Sequence, residues 1–288
     1  MKKITLKHGL LFFYIFDGIL LLLFIFAFLP FAKKNKEPSV PTALLNPNYE
    51  TEITSIKIAS PQSTVTLKKG ELYWTGVSTE SKEKYVWPAD IQNVSNLIEC
   101  AKQIISVQVK TDNVTAWKSL GVDEEQSTSI TFYDSNENIL SQVFFGFKDS
   151  LSLKLYFRTW TKATVYEGLT SIESFLTTDE SFWADPFLFP QCITDYDRRY
   201  SETLLRRGKI QNLAPREGLP VKFNLQKDFE NGAIVNYAIY EKDKEFIVIP
   251  SFITGPATSE KDSKLINSIN YRYSISAVTC ENFLNLMK

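Results

Sequence analysis

The chain has 288 residues, a formal charge of −1, 14% aromatic residues, three cysteines and a single histidine. Beyond residue 36 it carries 26 Lys and Arg against 32 Asp and Glu, a balance of −6, which excludes the basic footprint of a general nucleic-acid binder. The aromatic content excludes a disordered chain, and about 240 residues suffice for one large or two small cores.

Residues 10–29, LLFFYIFDGILLLLFIFAFL, contain sixteen Leu, Ile or Phe. Twenty helical residues rise about 30 Å, the thickness of a bilayer's hydrocarbon core. A cleaved signal would have a shorter apolar run and a small-x-small site, and Pro30 spoils the candidate at Ala32. The run therefore predicts an uncleaved transmembrane helix over 10–29, after a cytoplasmic N-terminus over 1–9. Lys2, Lys3 and Lys7 before it balance Lys33, Lys34 and Lys36 after it, and the α-amino group tips the N-terminus inward. Asp17 lies seven residues inside the run, where an acid is expected to face a partner helix or a wet cavity; a partly hydrated acid without a partner is the alternative.

A linker over 30–52 holds Pro38, Pro41 and Pro47. ITSIKIA (53–59) alternates as a strand, and STVTLKKGELYWTG (63–76) reads as a hairpin around Lys69-Gly70. In WPADIQNVSNLIECAKQII (87–105) the apolar residues fall at helical spacing, with Asp90 as N-cap. SITFYDSNENILSQVFFGF (129–147) reads as two strands joined over Ser135–Asn138. LSLKLYFRTW and KATVYEG (151–168) read as the next two strands, and TSIESFL (170–176) as a short capped helix before the aromatic stop FWADPFLFP (182–190). KIQNLAP (209–215), a hairpin over 234–252 turning at Asp243-Lys244, a strand over 269–276 and a helix over 279–287 complete the chain.

Ser171–Leu176 and Thr279–Leu284 share a hydroxyl cap, a glutamate and a Phe-Leu pair. The expected fold is α+β: the transmembrane helix, then antiparallel β-rich units each closed by a short helix, with possible duplication. The boundaries expected are 53–190 for the first unit and 191–288 for the second.

Chemistry is scarce. His8 is the only imidazole, so the large region lacks the Ser-His and Cys-His arrangements. Cys100, Cys192 and Cys280 are too few for a four-cysteine metal site and read as buried small hydrophobes. Glycines stand singly, with no phosphate loop, which excludes an ATPase. Asp179, Glu180, Asp185, Asp195 and Asp197 lie near Trp183 and Tyr196, a mixture met in sugar-cleaving sites and equally in ordinary surface loops. Arg198, Arg199, Arg206 and Arg207 form a basic stretch able to meet lipid phosphates or an acidic partner; a solvated helix face explains it equally.

KGELYW, YVWPAD, LGV, ITFYD, FFGF, LYFR, TVY and FWADPFLFP follow one another over about residues 53–215. In their order and spacing they resemble a family of bacterial single-pass envelope proteins, the domain of unknown function numbered 4340. That resemblance implies an accessory role beside an ABC-type, gliding-motility-like transporter in the cytoplasmic membrane, with the bulk of the chain extracytoplasmic. It implies a permease or auxiliary protein as partner. No cofactor, metal or nucleic acid is expected, and the expected protein is not an enzyme. The alternative is a hydrolase or binding protein acting on envelope polysaccharide or lipid.

Overall fold

The computed structural model describes residues 16–21, 24, 40–70, 74–78, 86–185, 209–210, 220–228, 234–242, 244–254 and 272–287. The chain divides into Met1–Val40 and Pro41–Lys288. In the first unit residues 16–21 and 24 are helical and exposed, Asp17 among them. Among the described residues no helix is long and apolar enough to cross a membrane. This corrects the predicted transmembrane helix over 10–29: no membrane-spanning helix is seen among the described residues.

In the second unit the alternating segments form strands as their patterning requires. β1 (Val40–Thr42), β2 (Ser55–Ala59), β3 (Thr64–Lys69), β4 (Trp74–Ser78), β5 (Val86–Pro88), β6 (Ile105–Thr111), β7 (Thr128–Tyr133), β8 (Ile139–Lys148), β9 (Leu155–Thr159) and β10 (Val165–Gly168) make one ten-stranded sheet. Their order is β1-β6-β10-β9-β8-β7-β2-β3-β4-β5. The predicted 63–76 hairpin is there, with Lys69 opposite Trp74. So is the pair joined over Ser135–Asn138, whose Asp134 carboxylate accepts from Asn136 N and Asn138 N, both at 2.8 Å. Residues 151–154, predicted as strand, lie outside β9, with 151–152 in a turn.

A second antiparallel sheet holds β11 (Lys209–Ile210), β12 (Val221–Asp228), β13 (Ile234–Lys242), β14 (Glu245–Thr254) and β15 (Tyr273–Ser276), in the order β11-β15-β14-β13-β12.

Helices are few. α1 (Ile91–Lys102) starts at Asp90, whose carboxylate accepts from Gln92 N at 2.9 Å, and buries Val94, Leu97 and Ala101. α2 (Trp117–Leu120) and α3 (Glu180–Trp183) are single turns, and α4 (Ala277–Leu286) is capped by Ser276. One apolar cluster runs from Ile56, Trp87, Leu97, Phe157 and Trp183 through to Tyr237, Tyr273 and Phe283, so the two sheets share a core.

The architecture is therefore β-rich, two antiparallel sheets with few helices, and corrects the α+β expectation of repeated units each closed by a helix. Among the described residues the sheets hold ten and five strands. Ser171–Phe175 is a 3-10 turn capped by Thr170, which puts Glu173 in its first turn. In the supposed counterpart the cap is Ser276, which moves Glu281 beyond the first turn of α4. The two segments share letters rather than structure.

Candidate functional site

The second sheet builds the most distinctive surface feature. In β12 the residues alternate, with Phe223 and Leu225 half-buried and Lys222, Asn224 and Gln226 exposed. Period-two alternation of this kind makes a strand with one packed face and one wet face. The strand pairs with β13 over Val221–Asp228. Among the described residues it is the edge of its sheet. An edge strand turns every other backbone N–H and C=O away from its neighbour, ready to pair with an added strand.

α4 packs across the same sheet. The Phe283 ring meets Tyr237 edge-on at 5.0 Å, and Cys280 is buried beside it. The turn after Phe283 brings Leu284 and Met287 towards Phe223 and Leu225. Between strand edge and helix lies a cleft of about 420 Å³ lined by Phe223, Leu225, Glu281, Leu284, Asn285 and Met287. Its wall is apolar except for Glu281 and Asn285 at the rim. Lys222 pairs with Glu241 and lies 5.1 Å from the Phe246 ring centre, which fixes the start of the edge strand. Burial pushes the Cys280 thiol above its usual range, so it stays protonated and unreactive at neutral pH. Backbone pairing along β12 together with a shaped apolar trough suits capture of an extended polypeptide with alternating apolar side chains.

The residues singled out from sequence do not converge on this groove. Asp17 lies in the other unit, exposed on its helical stretch. Arg198, Arg199, Arg206, Arg207, Cys192, Asp195, Tyr196 and Asp197 lie outside the described residues. Asp179 caps α3 through Ser181 N at 2.9 Å. Asp185 is buried where the two sheets meet, its backbone bonded to Pro88 and to Tyr273. Trp183 is in the core and donates to Thr177 O at 2.7 Å, while Trp160 is half-exposed on the surface. These two tryptophans therefore do not line a common pocket. Cys100 and Cys280 are free thiols, half-buried and buried.

The groove residues were not foreseen. Val221, Phe223 and Leu225 do alternate in sequence, and Leu284 on α4 lies three residues before Met287 at its C-terminal cap. These signals mark a strand and a helix, but only the folded pairing shows that they face each other.

A scan against protein-family models, a search of curated proteins and a search of solved structures each returned no match.

Proposed function

We propose that this chain is a non-catalytic accessory protein that assembles with other envelope proteins by holding an extended segment of a partner. The observation that carries this reading is the place of β12, among the described residues, at the edge of its sheet beside the apolar cleft of Phe223, Leu225, Leu284 and Met287. An added strand would satisfy the edge, and its alternate side chains would fill the cleft. The partner class follows from the resemblance to the family numbered 4340: a permease or auxiliary subunit of an ABC-type transport assembly. The same resemblance implies a place at the bacterial cytoplasmic membrane with the bulk of the chain extracytoplasmic, and the apolar composition of residues 10–29 suits contact with lipid.

The test is a photo-crosslinking residue at Asn224, on the exposed face of β12, in intact cells. A crosslink to a transport component, lost when Leu284→Arg blocks the cleft in a chain that keeps its circular-dichroism spectrum, is the expected result. Crosslinking confined to lipid or to the chain itself overturns the reading.

A further inference from the structure

At one end of the ten-stranded sheet, four large aliphatic side chains stand in solvent. Ile104 precedes β6, Leu169 follows β10, and Leu151 and Leu153 lie in the turn from β8 to β9. They are 74%, 65%, 94% and 58% exposed. The register puts them together: Gly168 faces Val107 on one side and Leu155 on the other, and Leu155 faces Lys148. The four therefore follow one another along the ends of the adjacent strands β6, β10, β9 and β8. Leu153 and Leu169 also share a cleft of about 410 Å³ with Leu155 and Gly168.

The leucines of the turn are held outward. The Asp149 carboxylate accepts from Ser152 N at 2.7 Å, from Leu151 N at 3.0 Å and from the Tyr156 hydroxyl at 3.0 Å. Leu153 N donates to Asp149 O at 2.9 Å, and Leu153 sits at φ 57°, a left-handed conformation unusual for a residue with a Cβ. A turn braced this way keeps both side chains in water, which is unfavourable unless something covers them.

We infer that this rim dips into the interfacial layer of a lipid bilayer. Two observations select lipid over a charged partner or a protein pocket. The charges beside the rim are largely taken up, Lys148 by Glu173, Lys154 by Glu167 and the Asp149 carboxylate by hydrogen bonds within its own turn, so a charged partner finds little to complement. The aliphatic side chains stand on separate loops with polar residues between them, and acyl chains close around isolated side chains where a protein would need a matching pocket for each. The inference rests on the membrane placement proposed above, not on the groove at β12.

The test uses the full chain in phosphatidylcholine vesicles, with an environment-sensitive fluorescent amino acid at Leu151, Leu169 or Asn136. Asn136 is an exposed control in the turn at the opposite end of β8. Quenching by headgroup-region nitroxide lipids several-fold stronger at 151 and 169 than at 136 is expected. Equal quenching at the three positions, in a chain that still floats with the vesicles, overturns the inference and leaves the membrane placement standing. A chain that does not float overturns both. A lipid-independent spectral shift that grows with protein concentration assigns the rim to a second copy and also overturns it.

Discussion

Trp87 occupies the space that a side chain at position 76 would need. The two residues are register partners across β4 and β5, and a Cβ built on Gly76 would overlap the Trp87 six-membered ring. Trp87 is fully buried, so the ring has nowhere to retreat. Gly76→Ala should therefore destabilise the fold by about 3 kcal/mol or more, the upper end of overpacking effects. Urea unfolding followed by tryptophan fluorescence measures it, and a change below about 1 kcal/mol would mean the ring can shift.

Arg158 is a second tightly determined residue. It lies on the face of β9 turned away from the main core, 97% buried, its guanidinium 4.0 Å from the Trp117 ring centre and 3.9 Å from that of Phe144. Nε donates to Val122 O at 2.7 Å, and Trp117 donates to Ala163 O at 3.0 Å. The arginine thus pins the segment carrying α2 onto the sheet, although burial pulls its pKa below the usual arginine value. Arg158→Ala, which removes the packing and the bond together, is expected to lower stability by about 3 kcal/mol. Arg158→Met, which keeps the stem and discards the buried charge, should lower it by about 1 kcal/mol or less. Hydrogen exchange at residues 114–122 should speed up in the alanine variant and stay slow in the methionine variant.

The two sheets are joined by a hydrogen bond between buried groups. Tyr273, on β15, donates its hydroxyl to the Asp185 carbonyl at 2.6 Å. Tyr273→Phe leaves that carbonyl without this donor and should weaken the fold by about 1–2 kcal/mol. Thermal unfolding of the variant should show a lower midpoint. An unchanged midpoint would mean that another donor replaces the tyrosine.

Acid should loosen the β8–β9 turn. Hydrogen bonds from Ser152, and then from Tyr156, hold the Asp149 carboxyl at about 2, below its usual 3.8. Its stabilising effect is complete above the unfolded value and is lost as pH falls from about 4 towards 2. Glu167 behaves alike: burial pushes it up, but Lys154 and Lys110 outweigh burial and hold it below the usual carboxylate range. Carboxyl resonances followed by NMR should place the Asp149 midpoint near 2. Asp149→Asn should abolish the acid-induced change in the Leu151 amide shift.

Legibility followed the length and cleanness of the patterns. Val65 and Leu67 opposite Gly76 and Ser78, and the long β13–β14 hairpin, were readable because alternation runs unbroken into a turn. β6 was hidden by the helix before it. Ile104 and Ile105 continue the helical spacing of α1, so the strand's own alternation of Ile105, Val107 and Val109 was absorbed into the preceding element. Phe223 and Leu225 belong to an edge strand whose apolar face is only half-covered, which weakens the contrast. The groove itself joins residues about sixty positions apart, and no local rule couples them. The exposed rim was illegible for the opposite reason: a leucine in a turn reads like any other until its exposure is measured.

The β2–β7 pairing of the large sheet also sets an order of events. Ser55 lies opposite Tyr133, so β2 gains one of its two neighbours only after nearly eighty further residues have been synthesised. Contacts of such separation close slowly. As the chain leaves the ribosome, the β2–β3–β4 ribbon waits with one flank bare, a period in which a chaperone, or another nascent copy, finds it most open to capture.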